Sequence, residues 1–121
     1  MLKIKKLEKE WKNLIFNLAF AIVTLLIVAF FYKNILLTTI LVGIIAITGL
    51  IKWKSKRTLI IFIIIGLLGA FAEMYAISKG VWSYAIFDFK NIPTWLFIVW
   101  GNAAAFIHQT SIEIKKIGIK K

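Results

Sequence analysis

The chain has no cysteine, which excludes disulfides, thiolate metal sites and cysteine nucleophiles. It has one histidine, His108, too few for a multi-histidine metal site. Its one proline, Pro93, leaves every helix upstream free of a proline break. Acidic residues number five, against sixteen lysines and arginines. The sequence contains no phosphate-binding loop, nucleophile–base arrangement, metal constellation, internal repeat or low-complexity linker. No cofactor and no metal are expected.

What the chain has instead is apolar surface. Of its 121 residues, 61% are hydrophobic, where a soluble domain has about 45–50%. So short a chain has too little interior to hide that surface from water. Lipid must act as solvent for the rest, and the length allows one domain. A formal charge of +11 on a soluble protein would suggest nucleic acid. Collection of cations on the cytoplasmic side of a membrane accounts for it better, so no nucleic-acid partner is expected.

Four stretches read as transmembrane helices: residues 14–32, 35–51, 58–78 and 93–112. The second is the shortest, and a re-entrant hairpin is its alternative. The first follows a basic leader as a signal peptide would, but no small-residue cleavage site follows it, so it reads as retained. Four spans place three basic segments on one side. They are Lys3, Lys5, Lys6, Lys9 and Lys12; Lys52, Lys54, Lys56 and Arg57; and Lys115, Lys116, Lys120 and Lys121. Only Lys33, Lys79 and Lys90 remain for the other side. That asymmetry puts both termini in the cytoplasm. The expected fold is thus all-α, a polytopic four-helix bundle. Residues 1–13 are expected to form a separate interfacial amphipathic helix, with Ile4, Leu7, Trp11 and Leu14 on one face. Anionic membrane lipids are its expected partners.

The unusual residues lie in the second half. Gly66, Gly69, Ala70 and Glu73 share one helical face, and so do Gly101, Ala104, Ala105 and His108. Small residues let helices approach closely. Glu73 continues the small face, so it is expected to point into the bundle. A carboxyl group withdrawn from water favours its neutral form. Glu73 is therefore the candidate catalytic acid or proton site, and Glu73→Gln tests it. The competing reading is an acid satisfied by Asn102, a tryptophan indole or water, without activity. Residues 79–92 form an aromatic outer loop, read as an interfacial belt or as a lid over a pocket. Helix rise places Glu73 about 8 Å and Asn102 about 13 Å below the outer end, with Thr38 and Thr39 at about 5–6 Å. These are expected to form one polar layer. His108 lies too deep to pair with Glu73. Trp82, Tyr84, Trp95 and Asn102 are the candidate ligand-binding residues. Asn17 reads as inter-helix glue.

Glu73, Gly80-Val81-Trp82-Ser83-Tyr84, Ile92-Pro93-Thr94-Trp95-Leu96 and Trp100-Gly101 together resemble a pattern of small prokaryotic membrane proteins. That pattern is an acid, then G-x-W-x-Y, then P-x-W-L-x-x-x-W. It is more distantly similar to membrane carotenoid-modifying hydratases and cyclases, which are longer and have additional spans. The resemblance covers residues 66–112. It implies a prokaryotic cell membrane, Glu73 as the acid and an apolar isoprenoid arriving from lipid. Three functions follow as expectations. One is binding of a lipid or isoprenoid in an outer-leaflet pocket around Glu73. Another is an oligomeric proton-coupled transporter or channel subunit, a homo-oligomer because four helices enclose little volume. The third is a structural or accessory subunit.

Overall fold

The computed structural model describes residues 2–118, with the side chains of residues 2–4 and 6 outside the description. It is all-helical: α1 (Leu2–Phe31), α2 (Ile35–Trp53), α3 (Lys56–Ser78) and α4 (Trp95–Ile117). Short polar turns separate the first three. Asn34 caps α2, its side-chain oxygen accepting from Leu37 N at 3.0 Å. Ser55 caps α3 by accepting from Thr58 N at 3.1 Å. Between these helices Lys54 adopts the left-handed conformation and returns its N–H to the Leu50 carbonyl. Helix α3 stops at a glycine. Gly80 has φ +83°, and the N–H groups of Gly80 and Val81 close on the carbonyls of Ile77 and Ala76.

The expected break between an interfacial helix and the first span is absent. Helix α1 runs unbroken for 30 residues. Residues 10–15, Glu-Trp-Lys-Asn-Leu-Ile, contain neither glycine nor proline, so nothing in the chain stops the helix there. Ile4 of the expected amphipathic face lies outside the described side chains, as do Lys3, Lys6, Lys120 and Lys121 of the charge asymmetry. Trp11 and Leu7 are exposed.

Among the described residues, three segments are long and apolar enough to cross a membrane: Leu7–Phe31, Ile35–Trp53 and Lys56–Ser78. Helix α4 matches α3 in length, 23 residues each, but carries more polar side chains. Of these, Asn102, Gln109 and Glu113 face protein. Helix α4 packs against all three other helices, whereas α2 and α3 barely meet. Asn102, Gln109 and Glu113 of α4 are buried, as are Glu10, Asn17 and Thr24 of α1. Outside, Ile15, Leu25, Phe30, Leu36, Ile51 and Leu68 are exposed. A polar seam inside and an apolar surface outside suit a bundle solvated by lipid, where polar groups find partners only within the protein.

The α3–α4 pair is the closest contact. A Cβ on Gly66 would lie 2.8 Å from the Phe97 carbonyl oxygen, and one on Gly69 would lie 2.3 Å from the Trp100 ring. On the opposing helix, a Cβ on Gly101 would strike the Phe62 ring at 2.7 Å. The two small faces therefore mesh, as their spacing predicts.

Candidate functional site

Glu73 stands near the C-terminal end of α3, half-buried, with two donors on its carboxylate. Tyr84 of the α3–α4 loop donates its hydroxyl to Oε1 at 2.5 Å. Trp100 of α4 donates its indole N–H to Oε2 at 2.5 Å. Each donor is held by its surroundings. The Trp100 ring lies over Gly69, where no side chain fills the space. The Tyr84 ring meets Trp95 edge to face at 5.9 Å. Burial, then the hydrogen bond to Glu73, then the charge of Glu73 push the Tyr84 hydroxyl well above the ordinary phenol range. Tyr84 therefore acts here as a donor that keeps its proton.

The α3–α4 loop is pinned down at several further points. Ile92 and Pro93 are buried beneath it. Asn91 donates its amide to the Met74 carbonyl at 3.2 Å. Phe89 and Ile92 exchange backbone hydrogen bonds around Lys90, whose φ is +55°. Asp88 accepts from both the backbone N–H and the hydroxyl of Thr94, tying the start of α4 to the loop.

Of the residues singled out from sequence, Glu73, Tyr84 and Trp95 come together. Trp82 does not join them; it is 46% exposed and makes no hydrogen bond to Glu73. Asn102 does not join them either. It is buried and donates to the Thr24 hydroxyl at 3.2 Å, whose own proton goes to the Phe20 carbonyl. Two residues along a helix carry a side chain to nearly the opposite side, so Asn102 faces α1 while Trp100 faces α3. The expected layer of Glu73, Asn102, Thr38 and Thr39 is thus not formed. Thr38 donates to the Phe31 carbonyl and Thr39 to the Ile35 carbonyl. Trp100 is not among the candidate ligand-binding residues read from sequence, although a tryptophan indole is one of the partners expected to satisfy Glu73. It lies seven residues beyond Pro93, about 10 Å down α4, close to the depth estimated for Glu73.

No family model, curated protein or solved structure matches this chain. The site is read from its own geometry.

That geometry continues inward. A groove of about 430 Å³ lies between α3 and α4. Trp100 forms one end of it, and His108 and Ser111 form the other. Ile61 and Ile65 of α3 and Ala103, Ala104 and Ile107 of α4 make apolar walls. The His108 Nε2 is buried without a hydrogen-bond partner among the described residues. Helix rise makes the groove about 16 Å long from Trp100 to Ser111. A second cleft of about 230 Å³ between α1 and α4 is lined by Thr24, Asn102 and apolar residues. Deeper still, Asn17 accepts from the Trp53 indole at 3.0 Å and reaches Thr110 at 3.5 Å, while Gln109 donates to Thr58 at 2.6 Å. Asn17 is the cross-helix glue its placement predicts.

Proposed function

We propose that the chain is a four-span protein of a prokaryotic cell membrane, both termini cytoplasmic, that binds a lipid or isoprenoid chain beside Glu73. Support for the fourth crossing is the length of α4, about 35 Å, together with the inward aim of its polar residues. Support for the orientation is the lysine and arginine asymmetry. The observation that carries the binding reading is the α3–α4 groove, whose outer end is the Trp100 ring that Glu73 holds in place. Its apolar walls and polar ends suit one long chain, and its volume falls within the range of ligand sites, about 300–1,000 Å³. Glu73 serves here as the fixed acceptor that sets the groove's outer limit.

Native mass spectrometry of the protein released from lipid nanodiscs tests this. The wild type retains lipid or isoprenoid, and Ala104→Phe, which fills the groove, loses it. Equal retention by both proteins would remove the groove as the binding site. A second reading, that Glu73 is a clasp for the outer loop with no ligand, is favoured by one observation: both carboxylate oxygens already have donors. It predicts that Glu73→Gln lowers stability and leaves lipid retention unchanged.

A further inference from the structure

The inner mouth of the α3–α4 groove is bordered by cations from both helices. On α3, Arg57 precedes Ile61 and Ile65 at i, i+4, i+8, so it lies on the groove face one turn inward of the wall. On α4, Ala104, His108, Ser111 and Lys115 fall at i, i+4, i+7, i+11, so Lys115 also lies one turn beyond the groove's end. Arg57 and Lys115 are exposed, and neither forms an ion pair among the described residues. Helix α3 begins at Lys56, so the positive end of its dipole faces the same mouth. The nearby acid Glu113 is buried and paired with Lys116 at 3.6 Å. It stands two residues from both Ser111 and Lys115, on the opposite side of the helix.

We infer that this mouth takes the anionic headgroup of an inner-leaflet glycerophospholipid, whose acyl chain lies along the groove toward Trp100. The inference rests on the binding reading above and adds the ligand's charge and direction. Apolar walls with cations at one end only select a molecule with the complementary layout, a chain and one anionic head. Helix rise puts Ser111 about 27 Å from Pro93 at the outer end of α4. That is close to the inner boundary of a hydrocarbon core about 30 Å thick, where phosphate groups lie. Arginine and lysine reach such groups by extending along the apolar surface with the charge at the interface. His108, with its Nε2 unpartnered at the groove's inner end, adds a polar atom on the path between head and chain.

The test uses the full chain in nanodiscs holding equal amounts of phosphatidylglycerol and phosphatidylcholine with identical acyl chains. Native mass spectrometry reads which lipid stays bound. The expected result is about a thirtyfold preference for phosphatidylglycerol, the size expected of two surface cations acting on one head. Arg57→Gln with Lys115→Gln abolishes the preference, and Lys9→Gln with Lys12→Gln, on the same side of the membrane, preserves it. All four residues are exposed, and thermal unfolding verifies that each variant folds. Equal retention of the two lipids, with loss in Ala104→Phe, would overturn the headgroup assignment and leave chain binding standing. An equal fall in both double variants would overturn it too, as an effect of total surface charge. Retention unaffected by Ala104→Phe would overturn the groove reading and the headgroup assignment together.

Discussion

The α3–α4 pair and the α1–α2 pair are joined by different means. Helices α3 and α4 touch through glycines, with the Trp100 ring over Gly69 and the Phe62 ring over Gly101. They also share a carboxylate, since Glu73 on one is held by Trp100 on the other. Helices α1 and α2 also meet over a glycine, where a Cβ on Gly49 would lie 2.5 Å from the Phe20 ring. The nearest atoms there are all side-chain atoms, whereas Gly66 meets the Phe97 backbone. The rest of the α1–α2 contact is the rings of Phe16, Phe20 and Trp53 and a neutral hydrogen bond from Trp53 to Asn17. Their threonines mostly satisfy themselves: Thr24, Thr39 and Thr48 donate to carbonyls one turn earlier in their own helices. In lipid, apolar contact between helices gains little over contact with acyl chains, so close backbone approach and cross-helix polar bonds decide which helices pair. The α3–α4 pair has both, and the site is built on it.

The contrast is sharpest at the glycines. Gly66→Ala forces a methyl against the Phe97 carbonyl, which belongs to backbone and has little room to yield. Its expected cost is about 1–3 kcal/mol. Gly43→Ala on α2 would find only the tip of Ile98, at 3.8 Å, and should leave stability unchanged or slightly higher. Unfolding both in mixed micelles compares them, and equal midpoints would deny that α3 and α4 approach more closely at Gly66 than α2 and α4 do at Gly43.

Removing one donor from Glu73 comes next. Trp100→Phe keeps an aromatic ring over Gly69 and deletes the N–H that Oε2 accepts, for an expected loss of about 1–2 kcal/mol. Asn17→Ala deletes the neutral bond at α1–α2 and should cost about 1 kcal/mol. A larger loss at Asn17 than at Trp100 would reverse the ranking of the two pairs.

The smallest effect is a pH dependence at Tyr84. Its hydroxyl titrates higher in the folded chain than in the unfolded one. Above about pH 10, the ordinary phenol value, the unfolded chain releases a proton that the folded chain keeps. Stability contributed by Tyr84 is therefore present below that pH and falls as pH rises beyond it. Tyr84→Phe should show a shallower decline between about pH 10 and 12 when thermal unfolding is followed at each pH. Parallel curves would mean that Tyr84 titrates alike in the folded and the unfolded chain.

Much of this architecture was legible in the chain. Hydropathy marks α2 and α3 closely, since polar caps at Asn34 and Ser55 bound both apolar runs. The small faces of α3 and α4 mesh because helical periodicity fixes which residues share a side. The continuity of α1 was hidden by a change of composition at residue 13, which marks a change of solvent and not a change of backbone. Trp100 and Asn102 were harder. Depth brings both near Glu73, and only the rotation of α4 decides which one faces it. That rotation is set by packing against three helices together, a property of the assembled bundle. Trp82 and Tyr84, two residues apart in an aromatic loop, look alike in sequence; the turn around Lys90 and the burial of Ile92 belong to the fold that separates them.

The Glu73 clasp also bears on how the protein is made. Both donors to this carboxylate, Tyr84 and Trp100, are synthesised after it. Helix α3 must therefore leave the ribosome with an acid that has no partner, and an unpartnered acid costs a few kcal/mol on insertion scales. Its partners arrive only when the outer loop folds back and α4 follows. The two helices are thus expected to enter lipid as one hairpin. A chain stopped at Lys90 should hold α3 in the membrane less completely than the full chain, and Glu73→Leu should restore it. On the four-span reading, the order of synthesis makes α4 a condition for the stable residence of α3.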